Sequence, residues 1–305
     1  MDPIAHSLVG VTLSNLGLET TAPLASTALL FSSLLPDLDY LTNLRGRRTY
    51  LKHHRGFTHS ILGIILLAWA FSLILSYFDP LTPYSLYFLL CLIGGAGHLL
   101  LDTTTSYGTR LFLPFTKRWF AWDLGIIFDP YLLGLLIGGT VTGRLIRGPF
   151  IPAITICLIL SYWLLRAWCR HRALKILKEY SLSGEKTLRA GAFPLLSTPF
   201  RWLGVIETER AFYTARIDIR KETNTDFTRY PKPEEDEIIK AAKKGLIMAT
   251  FLDFARFPWM SSRRNSDHYE VRCEDLRFKY FKENGFGTKA ILSTDKEVLS
   301  ERLKF

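Results

Sequence analysis

Cysteine is scarce in this 305-residue chain. Cys91, Cys157, Cys169 and Cys273 lie far apart, two of them inside apolar runs, so their spacing describes neither a zinc site nor a disulfide framework. They read as small buried residues in a reducing or lipid environment. Charge is scarce as well, but only in one part. Residues 1–168 hold eleven Lys/Arg and eight Asp/Glu, against twenty-seven and twenty in the remaining 137 residues. Such a shift argues for a membrane domain followed by a soluble one. The N-terminus opens with Asp2 and lacks a basic n-region, so no cleavable signal peptide is expected. Internal repeats and low-complexity segments are missing. The net charge of +10 does not imply nucleic acid, because the basic residues of the second part are interspersed with acids and no base-reading motif is present. Basic residues gathered on the cytoplasmic side of a membrane explain it more economically.

What is present is a series of apolar runs. Residues 3–18 and 22–36, separated by Glu19-Thr20-Thr21, are each shorter than the roughly 20 residues a spanning helix needs. They read as a re-entrant hairpin, which would bring His6 near Pro36-Asp37-Leu38-Asp39. Residues 40–59 form a polar loop with Arg45, Arg47, Arg48, Lys52 and Arg55. Runs at 60–78, 84–101, 124–142 and 150–168 are long enough to cross, and Gly94-Gly95-Ala96-Gly97 gives the second a thin face for close packing. If the four runs alternate, the basic loops 40–59 and 103–123 and the tail after 168 share one side, which the positive-inside rule makes the cytoplasm. Arg144 and Arg147 fall in the opposite loop. Beyond residue 180, alternation from Tyr213 to Arg220 predicts a half-buried strand. Pro233-Glu234-Glu235-Asp236-Glu237 predicts a helix start. A second strand pattern from Tyr269 to Phe281 changes phase near Glu274-Asp275. The expected fold is therefore mainly α: a polytopic transmembrane helical bundle with a re-entrant N-terminal hairpin (residues 1–178), then a small soluble α+β domain (residues 179–305).

Five of the seven histidines fall in the first third of the chain, beside the ends of these runs. His53-His54-Arg55-Gly56-Phe57-Thr58-His59-Ser60 precedes one run, and His98 and Asp102 close the next. Residues four apart on a helix share a face, so His98 and Asp102 can approach one metal ion. Asp37 and Asp39 can share an ion, or one can ligate while the other orients. All these residues fall on the side assigned to the cytoplasm. Imidazoles and carboxylates without a thiolate suit Zn²⁺, Mn²⁺ or Fe²⁺, with Zn²⁺ or Mn²⁺ preferred. More than four ligands leave room for one ion or two. His53 is the weakest candidate. Asp129, inside an apolar run, reads as a ligand, a partner of a histidine, or a buried acid beside a proline. Asp123 reads as a site residue or a helix cap. Arg55 reads as a phosphate contact or a positive-inside residue.

The opening Met-Asp-Pro-Ile-Ala-His, the Leu-Leu-Pro-Asp-Leu-Asp segment, the His-His-Arg-Gly-Phe-Thr-His-Ser segment and Gly97-His98-Leu99-Leu100-Leu101-Asp102 together resemble the LexA-binding, YdjM/YbcI-like family of bacterial inner-membrane proteins. The resemblance covers about residues 1–135. It implies a membrane-bound metal-dependent hydrolase and carries His6, Asp37, Asp39, His54, His59, His98 and Asp102 over as site residues. Within that set, His6, Asp37, His59, His98 and Asp102 are expected to bind metal. Asp39 and His54 are expected to act as general base or to orient a ligand. The expected substrate is a phosphoester or another ester of a lipid or small amphiphile, met at the cytoplasmic face of the inner membrane among membrane lipids. The competing reading is a non-enzymatic membrane protein, with a structural metal or a His/Asp network and a soluble domain that binds a partner.

Overall fold

The computed structural model describes residues 1–18, 21–146, 148–179, 185–196, 198–221, 227–233, 236–279 and 285–304. The expectations at Glu19-Thr20, Arg147, Glu234-Glu235 and Tyr280-Phe281 lie outside the described residues. The chain forms two compact units, one of residues 1–44 and 53–167, the other of residues 45–52 and 168–305.

In the first unit α1 (Pro3–Ser14) and α2 (Ala25–Ser32) make the N-terminal hairpin. Asp2 caps α1 by accepting from the Ala5 N–H at 3.0 Å, and Pro3 stands in the first turn, where its missing N–H costs nothing. The second arm is shorter than its apolar run. Pro36 ends the α-helical pattern, and Leu35–Arg45 continues as a 3-10 segment. The predicted polar loop 40–59 is partly ordered too. It holds a short helix, α3 (Arg47–His53), which belongs almost wholly to the second unit, and a 3-10 turn at Phe57–His59 in the first.

Among the described residues, three helices are long and apolar enough to cross a membrane: α4 (Ile61–Phe78), α5 (Tyr84–Thr104) and α7 (Phe150–Glu179). Leu66, Trp69 and Leu73 of α4 stay exposed in the protein, as an apolar helix facing lipid would leave them. The fourth run starts later than its hydropathy implies. α6 spans Pro130–Ile146, 17 residues, because Asp129 caps it: its Oδ1 accepts from the N–H groups of Tyr131 (3.1 Å) and Leu132 (3.2 Å). α6 and the first part of α7 form an antiparallel pair. Arg166 Nε donates to the Leu124 carbonyl at 2.7 Å, and the Tyr162 hydroxyl donates to Asp129 at 2.9 Å. α1 runs beside α6, joined by Asp2 N–H to Ile127 O at one end and Thr12 to Thr140 at the other. α7 itself continues past residue 168 to Glu179, since the basic residues there are good helix formers.

Glycine sets how closely α2 approaches both α1 and α5. A Cβ on Gly94 would meet the Leu29 carbonyl oxygen of α2 at 2.7 Å, and one on Gly10 would meet Leu30 Cα at 2.7 Å. The thin face predicted at Gly94 is thus used, against α2. Gly94→Val is expected to push the helices apart and cost about 1–3 kcal/mol, read as a lower unfolding temperature of the full chain in detergent.

In the second unit, two four-stranded antiparallel meanders follow α7. The first is β1 (Thr187–Pro194), β2 (Arg201–Thr208), β3 (Ala211–Asp218) and β4 (Thr228–Pro231). The second is β5 (Pro258–Arg264), β6 (His268–Asp275), β7 (Gly287–Ser293) and β8 (Val298–Lys304). Alternation decides which face of β2 packs where. Trp202 and Ile206 meet Cys169, Ala173 and Leu177 of α7, while Leu203 and Val205 join Phe257 and Leu276. The predicted strand at Tyr213–Arg220 is β3. The second predicted strand stops at Asp275, where a buried pair with Arg277 begins a 3-10 turn. The helix expected at Pro233 begins at Glu237 instead, as α8 (Glu237–Lys243), with Asp236 as its cap. A second helix, α9 (Leu246–Phe254), was not foreseen; Glu301 of β8 accepts from its Ile247 and Met248 N–H groups.

Candidate metal centre

Four chain segments bring the histidines and aspartates to one end of the helical unit. His6 sits in the first turns of α1, and Asp37 and Asp39 in the 3-10 segment after α2. His59 directly precedes α4, whose cap Ser60 accepts from the Gly63 N–H at 3.0 Å. His98 and Asp102 lie on the last turns of α5. His6, His59, His98 and Asp102 are fully buried, and Asp37, with its side chain 20% exposed, is the open edge.

The outer hydrogen bonds decide which way each ring faces. His98 Nδ1 lies 2.7 Å from the Ser33 carbonyl oxygen. A carbonyl only accepts, so Nδ1 carries the proton and Nε2 keeps its lone pair. His59 Nδ1 lies 3.0 Å from Asp39 Oδ2, which imposes the same tautomer. The two Nε2 atoms then face each other at 3.0 Å. His59 Nε2 is also 3.4 Å from Asp37 Oδ1 and 3.3 Å from Asp102 Oδ2, and His98 Nε2 is 3.7 Å from each of those carboxylates. His6 stacks on His98 with ring centroids 3.7 Å apart, its Nε2 3.4 Å from Asp102 Oδ1. Lone pairs and carboxylate oxygens packed this closely repel unless a cation lies among them. Spacings of this size suit neighbouring ligands held by bonds of about 2.0–2.2 Å.

Unpaired atoms point the same way. Among the described residues, neither nitrogen of His6 has a hydrogen-bond partner. Arg55 Nη2 lies 3.0 Å from Asp102 Oδ1 and the N-terminal amine also contacts it, yet neither Asp102 oxygen accepts a hydrogen bond of regular geometry. Buried polar atoms without partners are costly. His6, His98 and Asp102 form one group able to hold a metal ion, Asp37, His59 and His98 a second, and Asp37, Asp39 and His54 a third. The residues present therefore fit a divalent cation.

Asp39 differs from the other acids because the protein already surrounds it with donors: His54 Nδ1 at 2.7 Å, the Arg55 N–H at 2.9 Å, the Thr58 hydroxyl at 2.9 Å and His59 Nδ1 at 3.0 Å. Burial opposes its ionisation, but the hydrogen bonds from His54 and His59 outweigh it and hold the carboxyl well below the usual range. For Asp37, burial is likewise outweighed by the His59 hydrogen bond and the nearby imidazoles, which hold it at about 2. Burial draws His54 below its ordinary value against the opposing pull of Asp39.

All seven predicted site residues meet in this cluster. His53 is exposed and stays outside it. Among the described residues, Asp129 and Asp123 join no group of potential metal ligands. Asp129 is a helix cap, and Asp123 adopts a left-handed backbone conformation (φ 57°) in an irregular segment. Sequence reading missed the Ser33 carbonyl, Thr58, Thr105 and Tyr107. The hydroxyl run Thr103-Thr104-Thr105-Ser106-Tyr107 after Asp102 was the available signal for the last two.

Residues 1–173, which contain the whole cluster, match the model of the YdjM inner membrane protein family. The chain belongs to that family. Its name and the three apolar helices agree on a membrane protein. Residues 237–305 match a second model, the YfhP C-terminal alpha/beta plait domain. Over 292 residues, 92% of this chain and 87% of the relative, the chain is 29% identical to the uncharacterized protein YfhP of Bacillus subtilis (strain 168). No solved structure matches the chain. The YdjM-family segment thus ends inside α7, and the plait match begins at α8.

Proposed function

We propose that this YdjM-family protein is a membrane-bound, metal-dependent hydrolase whose centre opens to the cytoplasmic face of the inner membrane. The observation that carries the reading is the facing pair of His59 and His98 Nε2 lone pairs, 3.0 Å apart and ringed by Asp37 and Asp102. In this reading His6, Asp37, His59, His98 and Asp102 hold a divalent ion, Zn²⁺ or Mn²⁺. Such an ion supplies Lewis acidity and makes hydroxide available near neutral pH. Asp39 keeps His59 in its ligating tautomer and orients His54 through Nδ1. His54 takes or gives a proton at Nε2, as an imidazole backed by a carboxylate does. Asp37, the half-open ligand, marks the side from which substrate enters. A centre at the end of apolar helices suits a phosphoester or other ester of a lipid or small amphiphile. Membrane lipids surround the helices, and residues 179–305 form the cytoplasmic domain.

The burial of four of the five ligands favours a second reading, a structural metal in a non-enzymatic membrane protein, since catalytic sites keep an open position. Metal analysis of the detergent-purified protein, with a screen of phosphoester and lipid-ester hydrolysis before and after chelation, separates the two. Stoichiometric metal with chelator-sensitive hydrolysis is expected. Bound metal without hydrolysis leaves the structural reading, and protein free of metal after saturation with Zn²⁺ and Mn²⁺ overturns both.

A further inference from the structure

We infer that the 3-10 segment carrying Asp37 and Asp39 lies in the headgroup boundary of the bilayer, and that the centre takes its substrate, a phospholipid, directly from the leaflet. The part about substrate deepens the hydrolase reading above and rests on it, whereas the placement of the segment does not.

A 3-10 helix turns once every three residues, so residues three apart lie in one row. Leu35–Arg45 has three rows, each with its own character. Pro36, Asp39 and Thr42 form the inner row, buried at Pro36 and Asp39 and half-buried at Thr42. Asp37, Tyr40 and Asn43 follow the open edge of the centre. The exposed Tyr40 ring stands edge-on to His54, with centroids 6.5 Å apart. Leu35, Leu38, Leu41 and Leu44 form the third row. Its exposure rises from 54% at Leu38 through 61% at Leu41 to 87% at Leu44. At a rise of about 2.0 Å per residue the leucine row is roughly 18 Å long. In water such a row is a liability, but at the boundary of acyl chains and head groups it is an anchor.

The surroundings favour lipid as its cover. Phe57 and Ile61, where α4 begins, are exposed, and Ile61 shares a helix face with the exposed Ile65 and Trp69. The Ile61 N–H donates to the Leu111 carbonyl at 2.9 Å, which seats a loop with the exposed Phe112 and Phe115 beside the start of this spanning helix. Lys117 and Arg118 follow, both exposed, with the Arg118 guanidinium 5.6 Å over the Phe120 ring. Residues 40–60 and 103–122 hold eight Lys/Arg and no Asp/Glu. Apolar side chains interleaved with cations and free of acids complement the anionic head groups of a leaflet. Asp37 lies in the row beside the leucines, so the open edge of the centre stands at headgroup depth. A phospholipid head reaches it there while the acyl chains stay in the bilayer, where each CH₂ is best accommodated.

Nitroxide labels test the placement. They are attached at Leu41→Cys, Leu44→Cys and, as the aqueous reference, Glu297→Cys. Each is made in full-length protein with the exposed Cys157 replaced (Cys157→Ala) and reconstituted in phosphatidylglycerol–phosphatidylethanolamine vesicles. At Leu41 and Leu44, collision with O₂ is expected to exceed collision with a water-soluble nickel chelate, and the reverse is expected at Glu297. A leucine row that meets the chelate more than O₂ overturns the placement. Shielding from both overturns it as well, because it means that a second copy or a partner protein covers the row. Hydrolysis by the Zn²⁺-loaded protein tests the substrate. On phosphatidic acid in vesicles, kcat/KM is expected to be at least about 10-fold higher than on glycerol 3-phosphate, which lacks the acyl chains and their binding energy. Equal or faster turnover of the soluble ester overturns the phospholipid substrate and leaves the hydrolase reading standing. Hydrolysis of neither defeats that reading and the phospholipid substrate together, and the labels still decide the placement.

Discussion

His98→Ala is expected to lower the affinity of the purified protein for Zn²⁺ or Mn²⁺ by more than about 100-fold, since loss of an orienting partner alone costs 10- to 100-fold. The size of the effect follows from the position of the ring. His98 Nε2 lies within 3.7 Å of His59, Asp37 and Asp102 and belongs to two of the three possible ligand groups. The substitution also removes the donor to the Ser33 carbonyl and the ring on which His6 stacks. Unfolding free energy is expected to fall by about 2–4 kcal/mol from the cavity and the lost hydrogen bond. Metal content and thermal unfolding, each with and without added ion, measure the two consequences separately. His53→Ala is the matched control. Its side chain is exposed, and stability is expected to stay within about 0.5 kcal/mol of wild type with metal binding unchanged. Equal metal content in His98→Ala and wild type would exclude the assigned ligand set.

Asp39→Asn is expected to damage the centre without removing a ligand. Four donors converge on the Asp39 carboxylate, and an amide offers one oxygen to them while turning an NH₂ group toward the rest. The expected cost is about 2–4 kcal/mol of stability, because buried donors lose a charged acceptor. His59 loses the partner that selects its tautomer, so metal affinity is expected to fall about 10- to 100-fold. The wild-type pH profile carries the same signature. The Asp39 carboxyl is depressed in the folded protein, so its stabilising contribution is fully present above the unfolded value of about 3.9 and is lost as pH falls below it toward the native value. Asp37, held at about 2, acts in the same direction. Thermal unfolding of metal-free protein from pH 7 to acid checks this: wild type is expected to lose stability more steeply than Asp39→Asn below the carboxylate range. Parallel profiles would mean that Asp39 is not the charged hub.

Much of this protein follows from local signals that any short window contains. The apolar runs of α4 and α5 lie close to where hydropathy places them, since nothing but chain composition decides whether a segment tolerates lipid. The i,i+4 spacing of His98 and Asp102 places both on one face because helix geometry is local. Tertiary structure decided what depends on distant partners. The spacing of Asp37 and Asp39 alone leaves open which of them ligates; the fold gives Asp39 the donors of the 54–59 segment and turns Asp37 toward the imidazoles. Asp129 becomes a cap bound by Tyr162, 33 residues away. Most of the strands escaped because their alternation is short, and a meander declares itself only once its neighbours pair. The candidate metal centre needs His6, Asp37, His59 and His98 from four segments to meet, and no local rule brings all four together. Close contact at Gly10 brings the two arms of the hairpin together and close contact at Gly94 seats the hairpin on α5, and both contacts exist only in the packed fold.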